Sequence, residues 1–146
     1  MAKYTVTRSC GHSETHQLYG KYTERERKIA WMETTLCREC YRAKQADDAA
    51  AKTRDAGLPE LTGTPKQIAW AESIRAAAIK DANRLRDAVR KGLEAHPDKA
   101  DDASIIENEI DAYMAEVSAH EWIERRDYHY TNIRERAAAA VKAANV

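Results

Sequence analysis

Two short arms of metal-ligand residues constrain this chain more than any other feature. All three cysteines lie between positions 10 and 40, where a Cys-Gly-His arm precedes a Cys-x-x-Cys arm. Zinc prefers four such ligands in a tetrahedron, and the Cys-x-x-Cys spacing lets two thiolates face one ion. We therefore expect a structural zinc ion as the cofactor, with four ligands: Cys10, His12, Cys37 and Cys40.

Two alternatives to this ligand set stay open. With His12 as the ligand, the first arm has one intervening residue, whereas a Cys-x-x-Cys arm has two. The longer imidazole side chain and a positive φ at Gly11 would make up for the shorter spacing. His16 has the same strand parity as His12 and could take its place. The three cysteines could also be small apolar side chains, with both histidines in solvent.

A closed set of four protein ligands does not favour catalysis. A catalytic zinc keeps one position open for water, with a general base beside it, and Cys10 would fill that position in a deaminase-like arrangement. The Cys-x-x-Cys pair also lacks the βαβ context of a redox site. The chain has no glycine-rich phosphate loop and no nucleophile elbow. We expect a protein that is not an enzyme and has no catalytic residues.

The charges balance over the whole chain but not along it. The sequence holds 24 basic and 24 acidic residues, so no global field attracts nucleic acid or an anionic membrane. Residues 1–45 carry nine basic and five acidic groups, whereas residues 101–127 carry two and nine. No apolar run is long enough to span a bilayer, and the N-terminus lacks the apolar region of a signal peptide. We expect a cytoplasmic protein, in which the thiols stay reduced.

The first 45 residues have the pattern of a small ββα module. Alternating residues predict a β-hairpin with strands at 4–8 and 14–19. Thr23 and Glu26 have the spacing of a capping box, which predicts a short helix from about Glu24. A module of this size with so few apolar residues needs a staple to fold. We therefore predict a zinc-ribbon-like ββα module.

The rest of the sequence is typical of helices, because it is about one third charged and rich in Ala, Arg, Lys, Glu and Asp. The segment 41–56 has no apolar stripe beyond alanine, which indicates an exposed connector ending at Gly57. Three cap signals predict helix starts or breaks further on, at Thr64, Ser104 and Ser118. Apolar residues at spacings of three and four follow the first of these signals to about Ala95.

We predict a mainly α fold in which the ββα module is followed by a helical bundle. The predicted domains are a zinc-binding module at 1–45, a helical connector and loop at 46–63, and a helical domain at 64–146. Because the helix at 41–56 is expected to be exposed, it could pair with a second copy of the chain. A homo-oligomer therefore stays open.

Two basic stretches are candidate partner-binding surfaces. They comprise Arg25, Arg27, Lys28, Arg84, Arg86, Arg90 and Lys91. A basic helical stripe could follow phosphates, although the interleaved aspartates also fit a solvated helix surface. The three tryptophans, Trp31, Trp70 and Trp122, lie beside apolar residues, so we expect them in the core.

Several segments of the sequence are familiar as a group: YTVTRSCGH, ERERKIAW, LCRECY, LPELTGTPKQIAWAESIR and HEWIERR. Together they resemble small zinc-ribbon-like proteins of bacteria, prophages and other mobile elements, over most of the chain. The resemblance implies a zinc-ribbon-like head with a helical body, and it transfers no catalytic residue. The mobile-element association suggests a phage-type inhibitor of a host defence system, such as a CRISPR effector, with the acidic segment 101–127 as its physical support.

The functional expectation is a binding protein that recognises a macromolecular partner. A protein partner is favoured, since the net charge is zero and nucleic acid would find no global attraction. A nucleic-acid-binding regulator that uses the two basic stretches is the rival hypothesis. No membrane partner is expected.

Overall fold

Helices and one small sheet make up the computed structural model, which describes residues 2–145. In chain order the elements are β1 Ala2–Thr7, β2 Ser13–Leu18, α1 Tyr22–Glu33, α2 Arg38–Asp55, α3 Pro65–Ala95, α4 Ala100–Met114, α5 Ala119–Glu124 and α6 His129–Ala144. The predicted fold, a mainly α protein with an N-terminal ββα module, is confirmed. No helix in the described part of the chain is long and apolar enough to cross a membrane.

The chain divides into two compact units. The N-terminal unit is Met1–Gln45 and the C-terminal unit is Ala46–Val146. Helix α2 begins in the first unit and ends in the second.

The N-terminal unit is built on an antiparallel hairpin. Strand β1 pairs with β2 from Ala2 opposite Leu18 to Thr7 opposite Ser13, as the alternating sequence predicted. Among the described residues of this unit, the buried apolar cluster consists of three side chains, Val6, Leu18 and Met32, with Tyr4 and Ile29 packed against them. A core of this size contributes little stability by itself.

Helix α1 begins two residues earlier than predicted. It starts at Tyr22, after Lys21 at the N-cap. The Glu24 carboxylate accepts a hydrogen bond of 3.1 Å from the Lys21 backbone N–H, which stabilises the helix start without a hydroxyl at the cap. The start predicted from Thr23 and Glu26 is therefore wrong. The Glu24 carboxylate satisfies the backbone amide of Lys21, so the helix begins before Thr23.

Helix α3 runs through the C-terminal unit and forms its core with α4, α5 and α6. The predicted start is confirmed, since the Thr64 backbone N–H donates to the Gln67 side chain at 3.0 Å. The buried core comprises Leu61, Ala71, Ile74, Ala78, Ala82, Leu85, Ile110, Tyr113, Met114, Ala119, Trp122 and Ile133. The predicted apolar stripe of α3 supplies five of these side chains.

The predicted break at Ser118 is confirmed, and the start at Ser104 is wrong. Ser118 caps α5, where its hydroxyl accepts from the Glu121 N–H at 3.3 Å. Ser104 lies inside α4 and donates to the Ala100 carbonyl. A 3₁₀ turn at Pro97–Lys99 leads directly into α4, so this helix begins before the serine.

The segments that precede α3 and α5 are joined by backbone hydrogen bonds. The Thr62 N–H donates to the Val117 carbonyl at 2.7 Å, and the Ala119 N–H donates to the Thr62 carbonyl at 3.0 Å. This short parallel bridge pairs Thr62 with Ser118. Gly63 follows it at φ 151°, where an added Cβ would lie 3.1 Å from the Ala119 Cβ.

The second half of α2 is not the exposed connector that its composition predicted. Ala49 and Thr53 are buried, and the Thr53 hydroxyl donates to Glu72 at 2.6 Å. Next to this pair, the buried Arg75 donates to the Pro59 carbonyl at 2.6 Å. The hydrogen bond to Glu72 on α3 accounts for the burial of a polar residue in a helix that has no large apolar side chains.

A buried aromatic cluster joins α4, α5 and α6. The ring centroid of Trp122 lies 5.7 Å from that of Tyr113 and 5.7 Å from that of His129. The Tyr113 hydroxyl and the His129 Nδ1 are separated by 2.9 Å. Burial lowers the pKa of His129, against the opposing effect of the nearby Asp81 carboxylate.

Candidate metal centre

The hairpin turn and the loop before α2 bring the two cysteine arms together. In the turn, the Arg8 N–H donates to the His12 carbonyl at 2.8 Å, and Gly11 has a φ of 82°. This left-handed conformation favours glycine and lets a short arm carry both Cys10 and His12. The second arm lies where α1 gives way to α2, with Cys37 just before α2 and Cys40 in its first turn.

The four candidate ligand atoms lie within 4.8 Å of one another. The His12 Nδ1 is 3.6 Å from the Cys37 Sγ and 3.3 Å from the Cys40 Sγ. Around a tetrahedral zinc ion, ordinary bond lengths separate sulfur from nitrogen by about 3.6 Å and sulfur from sulfur by about 3.8 Å. The cluster therefore has the size of a single-ion site, and it could hold a metal ion.

Backbone amides point at the sulfur atoms. The Cys37 N–H donates to the Cys10 Sγ at 3.4 Å, and the Cys40 N–H donates to the Cys37 Sγ at 3.4 Å. Hydrogen bonds of this kind stabilise negative charge on sulfur. They favour the thiolate forms that bind metals.

The surroundings shift the pKa values of Cys10 and Cys40 in opposite directions. The Cys37 backbone N–H, followed by that of His12, lowers the pKa of Cys10 to about 6. The neighbouring Cys37 side chain, followed by burial, raises the pKa of Cys40 to about 12. Without a cation, Cys40 keeps its proton because further negative charge beside the other sulfurs is unfavourable. A bound cation would remove this penalty, so metal binding would release protons.

Side-chain and backbone contacts hold the hairpin turn against the end of α1. The Arg8 Nη1 donates to the Thr35 Oγ1 at 2.9 Å, and the Ser9 N–H donates to the Thr35 carbonyl at 3.1 Å. The same Arg8 donates through Nε to Glu14 at 2.8 Å. These contacts hold the hairpin turn, which carries the first arm, close to the segment that carries the second.

His16 and Glu14 lie outside the cluster and bind each other. The His16 Nε2 is 3.2 Å from the Glu14 carboxylate, whereas His12 contacts the cysteines. The hydrogen bond from Arg8 lowers the pKa of Glu14. A carboxylate that is ionised and held by Arg8 is a poor general base for a metal-bound water.

The basic residues of α1 differ in their surroundings. Arg25 is half-buried, with its guanidinium 5.9 Å from the Tyr4 ring centroid and 6.0 Å from that of Tyr22. Arg27 and Lys28 are exposed and make no ion pair within residues 2–145. Of these three residues, only Arg27 and Lys28 are therefore available to a partner.

The basic residues of α3 also fall into two groups. Arg86 binds Glu107 and Asp111, and Arg90 binds Asp87. Arg84 lies 4.8 Å over the ring of Tyr130. Lys91, like Arg84, is exposed and forms no ion pair with any residue that the structure describes.

Two of the three tryptophans that were predicted to lie in the core are exposed. Trp122 is fully buried as predicted, but Trp31 is 61% exposed and Trp70 is 52% exposed. Trp31 follows Arg27 and Lys28 by four and three positions, so it shares their exposed face. That spacing was the signal in the sequence, since the apolar face of α1 consists of Ile29 and Met32.

The geometry of the cluster does not identify a protein family. The resemblance to zinc-ribbon-like proteins of bacteria, prophages and mobile elements stays a prediction, because no protein-family model, no curated protein and no solved structure matches this chain.

Proposed function

We propose that the protein is a non-enzymatic binding protein that recognises a protein partner through an exposed face of α1, which a structural zinc ion holds in place. This face, the α1 surface, consists of Arg27, Lys28 and Trp31. The observation that carries the proposal is the 61% exposure of Trp31 beside two unpaired cations.

Zinc is the ion that the donor set favours. Three thiolates and an imidazole suit zinc, whereas carboxylate and carbonyl oxygens suit magnesium or calcium. The cluster lies next to a core of three buried apolar side chains, too few to hold the hairpin and α1 together alone. A closed set of four ligands leaves no position for a substrate, which supports a structural role.

The α1 surface has the chemistry of an interaction hot spot. Tryptophan and arginine are enriched among residues that dominate binding energy at protein interfaces. An exposed tryptophan leaves a large apolar area in water, and burying that area against a partner is favourable. Because Arg27 and Lys28 flank Trp31, the complementary partner surface should be apolar with acidic residues at its edge.

The acidic segment 101–127, which is the physical support for an inhibitor of host defence, is largely paired within the chain. Glu107 and Asp111 bind Arg86, and further pairs join Glu109 to Arg136, Glu116 to Arg125 and Asp102 to Lys99. Paired carboxylates present less net charge to a partner. We therefore base the proposal on the α1 surface, and an inhibitor of a defence system is one kind of protein that could use it.

The test compares two exposed tryptophans. Partners are captured from a lysate of the native host with tagged wild-type protein, Trp31→Ala and the matched control Trp70→Ala, and the captured protein is then purified. We expect Trp31→Ala to weaken its binding by about 2 kcal/mol or more, roughly 30-fold in Kd. Trp70→Ala should bind normally, because its tryptophan lies on the C-terminal unit. Equal binding by both variants would contradict the proposal.

A further inference from the structure

A cationic groove lies between α3 and α6 in the C-terminal unit. It encloses about 660 Å³ and is lined by Lys80, Asn83, Arg84, Asp87, Ala88, Lys91 and Tyr130. The groove is far along the sequence from the α1 surface and shares no residue with it.

The groove contains three cations without carboxylate partners. Lys80, Arg84 and Lys91 are exposed and form no ion pair within the described residues 2–145. Asp87, the carboxylate of the groove, is bound by Arg90. The contrast with Arg86, which binds two carboxylates on α4, shows that pairing is common elsewhere on this helix.

The three cations are arranged in a line. They are separated by four and seven positions on α3, so they lie on one face of the helix. At 1.5 Å per residue, the line from Lys80 to Lys91 is about 16 Å long. A duplex strand carries a phosphate about every 3.4 Å along its axis, so the line could face about four or five phosphates.

Tyr130 orients the central cation. Its ring is packed against the core of the C-terminal unit, and the Arg84 guanidinium lies 4.8 Å above it. A guanidinium held by an aromatic ring loses less entropy when it binds, and its planar shape matches a phosphate. The Asn83 side chain adds an amide donor to the same groove.

We propose that this groove binds the phosphate backbone of a nucleic-acid strand, without reading its sequence. A protein partner is disfavoured because an interface needs an apolar centre, and the groove offers only Ala88 and a ring already covered by Arg84. The same ring is unavailable for base stacking. Binding therefore depends on charge, and it goes beyond the proposed function of the α1 surface.

The test measures salt-dependent binding of a labelled 20-nucleotide single strand, and of the corresponding duplex, to the zinc-loaded full chain by fluorescence anisotropy. Three contacts predict a slope of log affinity against log salt of about −2 for the single strand and about −2.7 for the duplex. Each of Lys80→Ala, Arg84→Ala and Lys91→Ala should weaken single-strand binding about five- to tenfold at 50 mM salt. The control Lys66→Ala removes an exposed cation from the same helix outside the groove, and it should bind normally.

Three outcomes would overturn the assignment. The first is absence of binding by the wild type at 25 mM salt, and the second is full binding by the Lys80, Arg84 and Lys91 triple variant with unchanged circular dichroism. The third is displacement of the labelled strand by polyglutamate at a lower charge concentration than an unlabelled strand requires, which would indicate a site for acidic proteins. Trp31→Ala should not alter strand binding, so failure of the α1 proposal can be distinguished from failure of this one.

Discussion

Two local features bring the four candidate ligand atoms together: the spacing of the Cys-x-x-Cys arm and the turn of the Cys-Gly-His arm. Spacing alone joins Cys37 to Cys40, because two positions of separation let both thiolates face one ion. The choice between His12 and His16 depends on the turn at Gly11, whose φ of 82° the sequence only allows. Trp31 was misplaced because apolar character was weighted above its position on the helix.

The imidazole ligand can be identified by substitution. We expect the purified wild type to contain about one zinc ion per chain, and His12→Ala to lose it, because the His12 Nδ1 lies 3.3 Å from the Cys40 Sγ. His16→Ala is the matched control, since it removes only a contact with Glu14 and Arg8. Elemental analysis by mass spectrometry provides the measurement. Full zinc in His12→Ala with loss in His16→Ala would show that the ligand is His16.

Helix boundaries show which signals are reliable at the level of elements. The α3 start was correct because Thr64 and Gln67 satisfy each other and Pro65 fits the first turn. The same pattern misled at Ser104, where the turn at Pro97–Lys99 had already started the helix. Capping residues indicate where a helix can begin, but competing signals upstream decide where it does.

The contact between α4 and α6 through His129 makes the stability of the C-terminal unit depend on pH. Burial lowers the pKa of His129 below its ordinary value of 6.5, so the unfolded chain binds a proton more readily than the folded chain. The stabilisation is therefore complete above about pH 6.5 and is lost as the pH falls through the lower folded pKa. Asp81 and Asp127 oppose this shift, and Arg125 adds to it.

Melting temperatures measured from pH 7.5 to pH 5.0 test this dependence. We expect His129→Gln to be less stable than the wild type at pH 7.5 but to lose less stability on acidification. His120→Gln, which changes an exposed histidine on α5, should keep the wild-type pH profile. Any effect of acid on the metal centre is common to all three proteins, so parallel profiles for wild type and His129→Gln would contradict the prediction.

The division into two units separates two sources of stability at the level of the whole molecule. The composition predicted a mainly α protein, but the burial of Thr53 accompanies a hydrogen bond to Glu72 on α3, a distant contact that no local pattern encodes. The C-terminal unit has a core of twelve buried side chains, whereas the N-terminal unit has three. The N-terminal unit alone should therefore depend on the metal for its stability.

Removal of the ion should therefore unfold one part of the chain and not the other. We expect a chelator to abolish hydrogen-exchange protection in the hairpin and α1, because their small core cannot offset the entropy of folding. Amides of α3 and α4 should keep their protection. Cys37→Ser without a chelator should give the same pattern, and a hairpin that stays protected in both samples would show that the metal is dispensable.

The backbone bridge between Thr62 and the segment before α5 has a consequence for folding kinetics. Thr62 and Val117 are 55 residues apart in the chain, so their pairing closes a long loop and is entropically slow to form. The bridge should therefore form after the transition state, when α3 and α4 already contact each other. Interactions formed late govern the unfolding rate. Gly63→Ala, which crowds Ala119 beside the bridge, should accelerate unfolding several-fold and leave the refolding rate almost unchanged.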